Sequence, residues 1–178
     1  MLVERMIVSR LRLLERDEAP LTARHLFRAD GTASPLTRSL VASPDLLETF
    51  MPFVAQAYAE SSLDLATKEL VIVRVSQLNG CRYCLAAHRP AALAAGIPEQ
   101  DLAAVCDELP LAELPERERA LVAWIDRYVL DPAGMDDELV TRVMDYVRDD
   151  QLIELALVAG VTQLLNHYCT AFAIPPPQ

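Results

Sequence analysis

Residues 69–88, ELVIVRVSQLNGCRYCLAAH, decide the fold. An apolar segment headed by Glu69 breaks at Asn79-Gly80 and resumes with Cys81-Arg82-Tyr83-Cys84 and His88. Both halves carry apolar residues at spacings of three and four, the period of a helix. Asn-Gly stops a helix and forms a turn, so the stretch predicts two antiparallel helices joined tightly. Cys81 then lies near the first turn of the second helix, where unpaired N–H groups and the positive dipole end stabilise a thiolate. Cys84 follows Cys81 by three residues and His88 follows Cys84 by four, so all three project from one face. Counting outward from the turn brings Glu69 alongside residues 88–91. The spacing therefore predicts that Glu69 meets and orients His88, and that His88 exchanges a proton with Cys84.

Outward from this hairpin the helical period persists. It predicts helices around 2–16, 45–59, 66–78, 82–95, 100–107, 116–129, 136–147 and 151–171, and no segment alternates with period two. Ser43-Pro44-Asp45 opens one helix and Gly96-Ile97-Pro98 closes another, while Leu114-Pro115 and Asp131-Pro132 punctuate the second half. The fold class is all-α, a helical bundle. Residues 29–37, ADGTASPLT, are expected as a loop, and Pro175-Pro176-Pro177 as an extended tail. Residues 1–40 read as an N-terminal arm and loop, with the first 20 expected as an arm docked on the body or on a neighbouring subunit, and residues 41–178 as the helical domain. A weak internal repeat emerges on shifting the chain by 85 residues: Glu69-Leu70 falls on Glu154-Leu155, and Tyr83-Cys84 on Tyr168-Cys169. A second hairpin of that kind would lack Cys81 and His88, replaced by Asn166 and Ala173.

The 178 residues include 16 basic and 26 acidic side chains, giving a net charge of −10. That balance disfavours nucleic acid, whose phosphates need a basic face, and an anionic membrane surface equally. Partners are expected among proteins and small molecules. MLVERMIVSRLRLLERDE lacks the uninterrupted apolar core of a signal peptide, and the run Leu70–Val75, broken at Arg74, falls far short of the roughly 20 residues of a membrane span. A cytoplasmic location is expected. There, four cysteines do not form a structural disulfide framework, and a C-x-x-C pair is catalytic or metal-binding.

Other residues carry plainer expectations. Cys106 and Cys169 read as small core residues, and His25 and His167 as structural histidines, with an accessory role for His167 left open by nearby Cys169. Tyr83 can pack or donate to a reacting oxygen. Glu69 near a helix start can alternatively serve the helix dipole, with Lys68 as a solvated neighbour. Cys81, Cys84, His88 and Glu69 together could supply four zinc ligands; helix-borne thiols this close favour oxidation to each other instead.

The pattern Glu69, eleven residues, Cys81-x-x-Cys84, three residues, His88 resembles the signature of the AhpD-like alkylhydroperoxidases within the carboxymuconolactone decarboxylase superfamily. TKELVIVRVSQLNGCRYCLAAH, LPERERALVAWIDRYV and QLIELALVAGVTQLLNHYCTAF resemble, in order, the family's active-site hairpin and later helices, over roughly residues 40–174. The resemblance implies an all-helical homo-oligomer, trimer or hexamer, that acts on a hydroperoxide without a cofactor or metal. Glu69, through His88, would take the proton from Cys84; the thiolate would attack the peroxide and Cys81 would resolve the sulfenic acid as a disulfide. An external dithiol or a lipoyl-bearing protein would reduce it. Cys84 is preferred as the attacking thiol for its nearer base, although the helix dipole favours Cys81. One position departs from the pattern: Tyr83 stands where the best-known AhpD-type peroxidases carry a histidine immediately before the second cysteine. The superfamily name also implies a cofactor-free decarboxylase or lactone-processing enzyme, which has no use for a dithiol; a non-enzymatic or zinc-stabilised helical module is the third reading.

Overall fold

The computed structural model describes residues 9–177, which contain eight α-helices and no strand: α1 (Pro35–Leu40), α2 (Pro44–Tyr58), α3 (Leu65–Leu78), α4 (Arg82–Ala94), α5 (Glu99–Val105), α6 (Glu116–Leu130), α7 (Asp137–Met144) and α8 (Asp149–Ala171). Helix α3 is the axis. Leu70, Val71, Ile72, Val73 and Val75 are all buried, because consecutive apolar residues cover every side of a helix and call for neighbours all round. Each such side chain contributes roughly 1.5–3 kcal/mol when removed from water. Helices α4, α6 and α8 supply those neighbours, and Leu121, Ile125, Leu155 and Val158 complete the core.

The caps explain where the helices begin. Asp64 and Asp136 accept the backbone N–H of Thr67 and Leu139 at 2.7 Å each, satisfying donors that the first turn leaves unpaired. Gly80 closes α3 at φ +61, the left-handed conformation that glycine adopts without a Cβ penalty.

Three expectations need correction. The first part of the helix expected at 2–16 lies outside the described residues, and residues 9–16 form no helix. Their amides have better partners elsewhere: Arg10 N–H donates to Phe172 O at 2.8 Å and Leu14 N–H to Arg38 O at 3.0 Å, and the Arg10 guanidinium reaches Ala171 O. These bonds satisfy carbonyls that helix ends leave open. Part of the segment read as loop is helical, because Ser34 caps α1 through Thr37 N–H at 3.1 Å and Pro35 fits its first turn. The second limb of the internal match does not turn back; α8 runs unbroken through Asn166, the position matching Cys81.

Residues 19–27 pack Ala19, Ala23 and Phe27 on Val41 and Leu47, so a satellite core spans both sides of residue 40. Helix α8 has the length and mean hydropathy, 1.2, of a membrane span, yet 44% of that window is buried inside the fold, as in a core helix.

Candidate active site

The α3–α4 hairpin forms at the turn read from the sequence. Cys81 N–H donates to Ser76 O at 2.9 Å, and Cys81 becomes the N-cap of α4, its sulfur accepting the Cys84 backbone N–H at 3.3 Å. The two Sγ atoms lie 2.8 Å apart, unbonded, as free thiols. Cys81 is 1% exposed and Cys84 6%.

Glu69 and His88 meet as the register predicts. His88 Nδ1 lies 2.9 Å from Glu69 Oε2. With the carboxylate ionised, Nδ1 carries the proton and Nε2 presents its lone pair. Tyr58, at the end of α2, stands edge-on to the imidazole with ring centroids 5.7 Å apart, and its hydroxyl is 2.9 Å from Thr162 Oγ1. Burial pushes the Tyr58 phenol well above its ordinary range, so at neutral pH it is a neutral wall. The pair is within reach of solvent, with side-chain exposures of 23% for His88 and 15% for Glu69. Its thiol end is incomplete: among the described residues no hydrogen bond joins His88 to either sulfur.

A third thiol enters from α8. The sulfurs of Cys81, Cys84 and Cys169 all lie within 4.8 Å of one another, and all three residues are buried. Cys169 is a buried core residue as expected, but its sulfur joins the pair, whereas Cys106 lies apart in the aliphatic core. Asn166, fully buried one turn before Cys169, holds the register: it donates to Ser76 Oγ and accepts from Asn79 Nδ2, each at 3.1 Å. The signal for Cys169 was present in the match of Tyr83-Cys84 to Tyr168-Cys169. Tyr58 and Asn166 carried no motif.

The electrostatics separate the thiols. Hydrogen bonds from Cys169, then Cys84, and the Cys84 backbone N–H hold the Cys81 thiol well below its ordinary range despite burial. At Cys84 the Cys169 contact acts downward, but the hydrogen bond with Cys81 and burial outweigh it and push the thiol up. Cys169 is pushed up by its bonds to Cys81 and Cys84. The backbone N–H that Cys81 accepts and its place at the N-terminus of α4 act in the same direction, favouring a thiolate at Cys81.

The remaining candidates fall elsewhere. Tyr83 is buried against Leu36 and Ile174 and walls the thiol cluster. His167 is exposed on α8 and has no hydrogen bond to the thiols among the described residues. Lys68 is no solvated neighbour: it is fully buried and donates to Ala57 O, Ala59 O and Ser61 Oγ while pairing with Glu154. The four-ligand zinc set is not assembled either, since the third side chain at the thiols is Cys169 and His88 is engaged by Glu69.

Comparison with known proteins agrees with this architecture. The uncharacterized protein YdfG of Bacillus subtilis is 31% identical over 117 residues, which are 63% of this chain and 77% of that one. The peroxidase-related alkylhydroperoxidase AhpD core protein from Ralstonia eutropha JMP134 superposes with a TM-score of 0.84 at 18% identity, covering 96% of this chain and 93% of that one. The debrominase Bmp8, solved with 2,3,4-tribromopyrrole, superposes with a TM-score of 0.72 at 20% identity over 97% of this chain and 92% of that one. The two structural likenesses speak to the fold. The sequence profile of the carboxymuconolactone decarboxylase family matches residues 44–127, from α2 through the hairpin into α6. With Glu69, Cys81, Cys84 and His88 inside the matched segment, the AhpD-like helical fold around it, and YdfG related over most of its own length, this chain belongs to the carboxymuconolactone decarboxylase family.

Proposed function

We propose that this protein is a thiol-dependent oxidoreductase that reduces hydroperoxides through Cys81 and Cys84. The observation that carries the reading is the pair of free sulfurs 2.8 Å apart at a helix N-terminus, beside a carboxylate–imidazole pair. One fold neighbour is a debrominase, so the reading rests on the dithiol rather than on the fold.

The Cys84 proton passes to His88 Nε2 through one intervening water, with Glu69 steadying the imidazolium. The Cys84 thiolate attacks the outer peroxide oxygen; the O–O bond breaks, the alcohol leaves with a proton, and Cys84 becomes a sulfenic acid. Cys81 displaces water from it and closes the disulfide. An external dithiol, free or as a lipoyl group on a protein, then takes up the oxidation by exchange. The attack and the resolution use only the chain's own residues and the peroxide.

A second reading of the first step has its own support. The backbone N–H and the helix N-terminus at Cys81 favour its thiolate, which favours it as the attacking sulfur with Cys84 resolving. Trapping the sulfenic acid in Cys81→Ser and Cys84→Ser separates the two orders.

The test of the function is thiol titration. One equivalent of hydroperoxide should remove two of the four thiols, and Cys84→Ser should lower dithiol-dependent peroxide consumption at least about a hundredfold. Four thiols surviving, or full turnover in Cys84→Ser, overturns the proposal.

The wider setting follows from the same features. Leu46 and Phe53 on α2 and Ile153, Leu157 and Leu164 on α8 are exposed, and an apolar groove of about 680 Å³ runs between Leu46, Phe53 and Leu164. An apolar surface of this kind supports a homo-oligomer. A dithiol that must be kept reduced suits the cytoplasm.

A further inference from the structure

We propose that Cys169 is a third redox thiol of this centre, which exchanges with the Cys81–Cys84 pair so that the oxidised protein also forms a Cys84–Cys169 disulfide. The inference deepens the dithiol reading and rests on it for the source of oxidation.

Cys169 reaches the pair from a different helix, far along the chain. Its sulfur lies within 4.8 Å of both others, and a disulfide brings sulfurs to about 2 Å, so the bond calls for only a local movement of a side chain already in the cluster. The backbone around it is held on both sides: Asn166 ties α8 to Asn79 and Ser76 at the hairpin turn, and Ile174 N–H donates to Cys169 O at 2.9 Å. Tyr168 Oη donates to Ser39 Oγ at 3.0 Å and fixes the same turn against α1. Cys106 supplies an internal contrast. It is equally buried, but it packs in the aliphatic core and shares no sulfur cluster.

Two routes lead to the new bond. In the first, the Cys169 sulfur attacks the Cys84 sulfenic acid; an S–S bond forms, the S–O bond breaks, and the hydroxyl leaves as water with the Cys169 proton. In the second, Cys169 attacks Cys84 within the Cys81–Cys84 disulfide; the proton of Cys169 moves to the released Cys81 sulfur, with no net oxidation. In either case two thiols are consumed per peroxide. The effect is a second partner for the sulfenic acid in a closed site, which limits its further oxidation to sulfinic acid.

The sequence makes the linkages separable. Trypsin cuts after Arg74, Arg82 and Arg148, placing Cys81 on residues 75–82, Cys84 on a peptide beginning at Tyr83, and Cys169 on one beginning at Asp149. Cys106 shares the Tyr83 peptide because Pro90 follows Arg89, so the parent protein for the test is Cys106→Ser.

That parent and its Cys81→Ser derivative are equilibrated in a dithiothreitol redox buffer without peroxide, alkylated, digested and weighed. We expect Cys81–Cys84 linkage to dominate the parent and Cys84–Cys169 linkage to dominate the derivative. With hydroperoxide, adding Cys169→Ser to the derivative should raise Cys84 sulfinic acid about tenfold. Unlinked Cys84 and Cys169 peptides in an oxidised derivative that keeps its helical circular dichroism overturn the proposal. If the derivative loses its helices, the parent decides: a Cys169-linked peptide supports the exchange and its absence overturns it. Buffer-driven linkage to Cys169 with no thiol oxidised by peroxide supports the exchange and overturns the peroxidase reading alone.

Discussion

Lys68 and Glu69 are neighbours on α3 and end in opposite kinds of site. Lys68 is fully buried, with three oxygen acceptors besides the Glu154 carboxylate. Glu154 in turn accepts from Ser61 and Ser62, so the cluster ties the α2–α3 connection to α8. Arg74, further along α3, is equally committed: Asp126 takes it at 2.6 and 2.7 Å, while Val105 O and Asp107 complete its fork. Glu69 has the His88 nitrogen and remains partly open to solvent. A buried charge with every valence filled makes the fold costly to disturb when one partner is removed, whereas a charge with valence to spare can take part in proton transfer.

The contrast can be broken from either side. On the Lys68 side, Glu154→Gln strands a buried ammonium and should lower stability by about 3 kcal/mol, read from denaturant unfolding, while turnover per folded molecule is unchanged. Burial works against the Glu154 carboxylate, but Lys68, Ser61 and Ser62 outweigh it and hold its pKa down to about 2. A lowered folded pKa contributes stability that is complete above the unfolded value of 4.5 and is lost as pH falls through about 2. Glu154→Gln should remove that part of the acid dependence; an unaltered acid slope would sink the assignment.

On the other side the pattern should invert. Glu69→Gln keeps the shape but removes the ionised acceptor, so turnover should fall about a hundredfold, with stability changed by less than about 1 kcal/mol. A variant that unfolds without losing turnover would make Glu69 a second Lys68. The smallest effect is expected at exposed His167, where His167→Ala should leave turnover intact and stability within about 0.5 kcal/mol.

The same contrast explains what could be read from the sequence. The hairpin was legible because its evidence is local: a 3.6-residue period, an Asn-Gly break, and a count outward from the turn that paired Glu69 with His88. Helix limits between residues 44 and 171 were legible to within a few residues, because proline and the caps mark them. Long-range partners were not. Lys68 is a polar residue in a helical pattern, and only the tertiary fold brings four oxygen partners to it. Residues 9–16 have helical periodicity, yet open carbonyls at the end of α8 and at Arg38 take the amides of Arg10 and Leu14 instead. Cys169 is the instructive case, since the pattern aligned it with Cys84 but gave no ground for bringing the two together.

The capping sulfur has a thermodynamic consequence. Cys81 accepts an N–H of the first turn of α4, which a thiolate does more strongly than a sulfur in a disulfide. Order at the start of α4 and the redox state of the protein therefore form one closed cycle. Any free energy by which the reduced fold is more stable than the oxidised fold must reappear as a higher reduction potential than that of the unfolded chain. How readily this pair of thiols would give up its electrons is thus set partly by how well one sulfur ends a helix.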